Sequence, residues 1–163
     1  MIDMLVRLYD LPSDTAADTT ARLAEQGIIL RRPGVYEKHL VEAWVAEHFS
    51  AKWASECAVA FTRQPVSCFI ATRDSAILAF ACYETTGRGF FGPMGVRGDQ
   101  RGSGLGKAVL IAGLEALRDM GYAYAVIGGV GPRDFYSRTV GAFEIPGSDP
   151  GIYRDILPET PPA

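Results

Sequence analysis

The chain is short of several things, and each shortage excludes something. Its 163 residues hold three cysteines and two histidines. Cys57, Cys68 and Cys82 are odd in number and lie in otherwise apolar stretches. They read as buried small hydrophobes rather than as a disulfide framework or a metal site. His39 and His48 form no metal-binding motif, so no metal is expected. Charge of one sign is also lacking: 16 basic side chains against 19 acidic ones leave a net charge of −3. That excludes broad nucleic-acid binding and attraction to anionic membranes. No apolar run reaches the ~18 residues of a membrane helix. The opening residues show no cationic segment followed by an apolar one, so neither a span nor a signal peptide is expected, and the location is expected to be cytoplasmic. Internal repeats and low-complexity segments are absent.

What is present is an ordinary globular composition, 48% hydrophobic and 21% charged. One domain spanning residues 1–163 is expected. Residues 2–9 alternate, with Ile2, Met4, Val6 and Leu8 on one face, and predict a half-buried strand. Ser13 and Asp14 signal the start of a helix that Gly27 stops. Residues 28–32 read as a strand. A helix over 36–49 buries Leu40, Val41, Trp44 and Val45; another, capped by Ser50, runs to about 63 with Trp53, Cys57 and Phe61 on one face. Residues 66–72 and 76–83 read as a buried hairpin. The next strand, 90–96, contains Gly92-Pro93, which marks a bulge and lets this strand diverge from its neighbour. A helix over 104–120 then leads to a strand over 122–127, parallel to 90–96, and a short helix from Arg133 to about Val140. The tail predicts two short strands around residues 146–151 and a frayed end from Pro158.

The stretch 94–107, Met-Gly-Val-Arg-Gly-Asp-Gln-Arg-Gly-Ser-Gly-Leu-Gly-Lys, organises the chain. An apolar strand runs in, an amphipathic helix runs out, and Gly102, Gly104 and Gly106 lie between. A helix start leaves about four amide donors unpaired and carries roughly half a positive charge, which suits an anion, commonly pyrophosphate. A P-loop is excluded because Ala108 stands in the Ser/Thr position and Arg101 in that of the first glycine. A dinucleotide fingerprint is excluded because Lys107 stands where the third glycine belongs. What matches is R-x-x-G-x-G, at Arg101, Gly104 and Gly106.

In this motif the chain resembles the GNAT superfamily of N-acetyltransferases, over roughly residues 28–157. The resemblance implies an α/β (α+β) fold: a mixed, mostly antiparallel sheet with a splayed parallel strand pair, flanked by helices. Residues 1–27 then stand as an additional N-terminal strand-helix unit. It also implies acetyl-CoA as cosubstrate, its pyrophosphate on the amides of the loop Arg101, Gly102, Ser103, Gly104, Leu105 and Gly106. Lys107, in the first helical turn, can reach a phosphate. The pantetheine arm would lie along Met94 and Val96 on one side and Gly128 on the other. Phe135-Tyr136 resembles the family's F-Y pair, whose tyrosine protonates the departing thiolate; the asparagine often found seven residues earlier is Gly129 here.

No residue declares itself as the base: Glu84 is a candidate, and so is a water chain. Glu84, Trp44 and Trp53 are candidate acceptor-site residues, with Glu37, His39, His48 and Glu56 beside them. The expected function is acetyl transfer to a primary amine of a small molecule, peptide or protein. The alternative is a non-catalytic acyl-CoA-binding or sensor module. A homodimer is compatible with the resemblance.

Overall fold

A computed structural model describes residues 1–12 and 16–157. Strand β1 (Met4–Arg7) leads to helix α1 (Ala16–Ala24) and strand β2 (Ile29–Arg31). Helices α2 (Lys38–His48) and α3 (Ala51–Ala60) follow, then strands β3 (Cys68–Arg73), β4 (Ala76–Tyr83) and β5 (Phe90–Val96). Helix α4 (Leu105–Asp119), strand β6 (Tyr124–Ile127), helix α5 (Arg133–Val140) and strand β7 (Phe143–Glu144) complete the chain. The strands form one sheet in the order β2-β3-β4-β5-β6-β1-β7. Every neighbouring pair is antiparallel except β5 and β6.

Two apolar clusters sandwich the sheet. One joins α4 (Leu110, Leu114, Leu117) to Met4, Val6 and Leu8 of the N-terminal stretch, to α1 through Leu23, and to α5 through Tyr136 and Val140. The other joins Val41 and Val45 of α2 and Cys57 and Ala60 of α3 to Cys68, Ile70, Phe80 and Cys82. Alternation along β3 and β4 divides their side chains between the two: Phe80 and Cys82 face one, Ala79, Ala81 and Tyr83 the other. Ser50 caps α3 as its sequence predicts, accepting from the Trp53 amide at 3.2 Å. Leu40 departs from expectation and is 57% exposed. The stripe that α2 buries is centred on Val41 and Val45, one turn apart, so Leu40 rotates outward.

The opening strand is built into the sheet. β1 lies between β6 and β7 and pairs with both, with Met4 opposite Ile127 and Glu144. The tail differs from the predicted hairpin: β7 pairs with β1, and no second tail strand forms among the described residues. The reason is a better partner within reach. β1 offers an open edge, the Ile145 amide continues onto the Asp3 carbonyl at 2.9 Å, and Ser148 Oγ accepts from the Asp3 amide at 2.9 Å. Pro146 and Pro150 have no N–H with which to pair two tail strands together. The expected cap at Ser13 and Asp14 and the expected fraying from Pro158 lie outside the described residues.

β5 and β6 touch over two residue pairs only, Phe90 with Val126 and Phe91 with Ile127. Beyond them β5 keeps to β4, and the two parallel neighbours separate. Gly92 takes φ of +122°, in the region open to glycine, where the register of β4 against β5 shifts. The divergence read from Gly92-Pro93 is present.

Candidate functional site

The gap between β5 and β6 opens into a cavity of about 1400 Å³. Its walls bring together Met94 and Val96 of β5, Arg101, Gly102, Gly104, Gly106 and Lys107 of the loop and first turn of α4, Gly128 after β6, and Phe135 and Tyr136 of α5. Trp53 of α3 closes it from the other side. Other residues read from the sequence do not line it. Ser103 turns its hydroxyl back to the Gln100 carbonyl at 2.6 Å. Leu105 buries its side chain completely in the core, leaving only its amide at the helix start. Trp44 packs in the second cluster, stacked on His48 with centroids 4.7 Å apart.

Glu84 also stands apart. It is 3% exposed with φ of +61°, accepts from the Gly89 amide, and pairs with Arg63 at 3.6 Å. It pins the turn between β4 and β5 and borders a separate cavity of about 720 Å³. A carboxylate so engaged stabilises the turn; it does not face the slot. Glu37 is likewise occupied, held by both Arg31 nitrogens at 2.6 and 2.7 Å, which lowers its pKa to about 2.

The anion end is built by backbone. Gly104 caps α4 with φ of +88° and has no side chain with which to cap it, so the helix start presents backbone amides rather than a side-chain cap. Gly102 also takes a positive φ, +81°. Arg101 makes no ion pair among the described residues, whereas Arg97 is tied to Asp99 at 2.6 and 2.9 Å. The helix dipole, the open amides and Arg101 together favour a negative guest.

The slot itself is edged by strand backbone that no other strand pairs among the described residues. The Arg97 amide bonds back to the Leu78 carbonyl at 2.8 Å. Alternation in an antiparallel ladder then turns the N–H and C=O groups of Met94 and Val96 the other way, toward the gap. Gly106 packs closely here: a Cβ on it would stand 3.5 Å from Val96 and 3.6 Å from Phe135.

Tyr136 sits where the strands part, and burial pushes its phenol up to about 12, so it stays protonated across the neutral range. On the opposite wall Glu56 of α3 accepts from Thr86 Oγ1 at 2.6 Å, beside Trp53 stacked on Phe49 at 5.3 Å. The tail supplies a group that sequence reading missed. Tyr153 leans over Gly128 and lines the cavity, its phenol raised to about 12 by burial and by the charges of Asp3 and Glu56. No periodicity marks residues 150–157, so nothing local could place Tyr153 there.

Comparison with known proteins agrees with this geometry. Residues 33–141 match the model of the acetyltransferase (GNAT) family. The fold is similar to the glucosamine N-acetyltransferase region of a fungal multi-domain β-N-acetylglucosaminidase, with TM-score 0.68, 19% identity, and 88% of this chain but 19% of that one covered. It is similar to an N-acetyltransferase from Sphaerobacter thermophilus, with TM-score 0.61, 19% identity, and 88% and 48% covered. It is also similar to a GNAT family N-acetyltransferase from Escherichia coli solved in complex with CoA, with TM-score 0.53, 22% identity, and 69% and 67% covered. The chain spans less than half the length of the first two. No match was found among curated proteins.

Proposed function

The chain belongs to the acetyltransferase (GNAT) family, and on that premise we propose that it is an acetyl-CoA-dependent N-acetyltransferase acting on a primary amine. The observation that carries the reading is the divergence of β5 from β6 directly beside an α4 start with no side-chain cap. An extended pantetheine arm can add to the exposed backbone of Met94 and Val96 as a strand would. The pyrophosphate then falls on the amides from Gly102 to Lys107, with Arg101 adding charge. Gly128 forms the far lip, and Phe135 backs the first turn of α4.

The reaction runs by direct transfer. The amine arrives as an ammonium ion and loses a proton, its nitrogen attacks the thioester carbonyl, and the tetrahedral intermediate expels CoA as thiolate. Tyr136 is the donor to that sulfur. Its raised pKa decides how it acts: full transfer from a phenol at about 12 to a thiolate with a conjugate acid near 8.5 climbs about 5 kcal/mol. Tyr136 therefore stabilises the developing thiolate by a hydrogen bond, and the thiol's final proton comes from solvent. Glu56 and Asp155 both line the cavity; Glu56 lies beside Trp53 and Phe49, and we assign it to hold the incoming ammonium, with those two rings as the aromatic wall.

Calorimetry with acetyl-CoA, followed by release of free thiol with a panel of amines, tests the reading. Saturable binding and amine-dependent thiol release are expected. Binding without thiol release from any amine would make the chain an acyl-CoA sensor, and no binding at millimolar acetyl-CoA would end the proposal.

A further inference from the structure

The three cysteines do not lie apart. Cys57 of α3, Cys68 of β3 and Cys82 of β4 place their Sγ atoms within 4.8 Å of one another, and all three residues are wholly inaccessible to solvent. The convergence comes from the topology. Cys68 and Cys82 stand directly opposite in the β3–β4 ladder, so their side chains leave the sheet on the same face. Helix α3 packs on that face and lowers Cys57 onto the pair. No disulfide joins any two of them. The cysteines are buried, as their apolar surroundings predict, and the fold adds what those surroundings do not show: the three form one cluster of sulfur.

We propose that Cys57, Cys68 and Cys82 form a buried three-sulfur site for a thiophilic monovalent metal ion, copper(I). Thiolate ligands select soft ions, and metal–sulfur bonds of about 2.3 Å set two ligands of one ion about 4 Å apart. The cluster meets that spacing after a contraction of less than about 1 Å. Zinc is disfavoured because a structural zinc site takes four ligands, and among the described residues the cluster offers three. Lys38 and Arg32 bring positive charge toward Cys57 and Cys68, and Glu42, which opposes them, is itself paired with Lys38 at 3.1 Å; burial at Cys68 and Cys82 works the other way, so the bound ion itself has to displace their protons. Each sulfur that joins the ion as thiolate releases one proton to solvent; loss of two leaves the site with one net negative charge, and no electron is transferred.

The site is sealed, so loading is tested during folding. The full chain is refolded from the reduced, denatured state with copper(I) supplied as its acetonitrile complex, and in parallel with zinc chloride. Native mass spectrometry is expected to show one copper per chain, with a mass shift reduced by the displaced protons. X-ray absorption of that sample is expected to show a first shell of three sulfurs, a readout that needs no variant. Cys57→Ala and Cys82→Ala should each lose the retained copper while still binding acetyl-CoA. The proposal is overturned by wild-type protein that retains no copper, by a shell of fewer than three sulfurs, by copper retained undiminished in a folded variant, or by zinc retained in preference to copper.

Discussion

At the scale of single residues, the site divides its labour between groups held by burial and groups held by charge. Tyr136 is buried without a charged partner among the described residues, which keeps its phenol protonated and suits it to the proposed donor role. Tyr136→Phe should leave acetyl-CoA affinity unchanged and lower kcat about a hundredfold, near the lower end of what loss of one hydrogen-bond donor to developing charge costs; calorimetry and steady-state kinetics read the two effects separately. The pH dependence follows from the same burial. With a folded pKa raised from 10 to about 12, Tyr136 favours the folded state fully below pH 10, and that contribution fades as pH rises through 12. Its loss of the proton should therefore add no falling limb to kcat between pH 8 and 10; a limb there that disappears in Tyr136→Phe would contradict the assignment. Glu56 stands on the opposite wall. Glu56→Gln should raise KM for a cationic amine about tenfold or more, while acetyl-CoA affinity moves little.

At the scale of elements, the strand β5, the glycine loop and α4 form the unit on which the proposed binding rests, and the sequence made that unit legible. The helical stripe of α4, the R-x-x-G-x-G spacing and the proline inside β5 are all local signals, and each corresponds to a feature of the fold. The cap is the sensitive position. A residue with a side chain at the φ of +88° that Gly104 adopts is strained by about 1–2 kcal/mol. Gly104→Ala should thus lower the melting temperature by a few degrees and weaken acetyl-CoA binding together, measured by thermal melting and calorimetry on the same preparation. Other features were not legible because they depend on partners distant in sequence. The hydrophobic count of α2 cannot distinguish a stripe centred on Leu40 from one centred on Val41, because the neighbouring helix and sheet choose between them. Glu84 looks like a free carboxylate until Gly89 and Arg63 come to it. Trp44 and Trp53 look alike on paper, yet one packs beneath His48 while the other lines the slot.

At the scale of the whole molecule, the first strand and the tail complete a sheet whose centre comes from the middle of the chain. Nothing in the alternation of residues 2–9 says that they pair with β6 and β7. Met4, Val6 and Leu8 are nonetheless 1%, 0% and 0% exposed. Burial of such side chains is worth about 1.5–3 kcal/mol each, so together they rival the total stability of a domain, about 5–15 kcal/mol. Removing residues 1–12 should yield chain that does not fold cooperatively, as followed by circular dichroism on heating. A sharp unfolding transition in the shortened chain would show the first strand to be dispensable.

The most direct measurement is a crystal structure with acetyl-CoA bound. The pyrophosphate is expected within hydrogen-bond distance of the amides from Gly102 to Lys107, the pantetheine against Met94 and Val96, and the thioester beside Tyr136. Acetyl-CoA bound elsewhere, with the gap between β5 and β6 left empty, would contradict it.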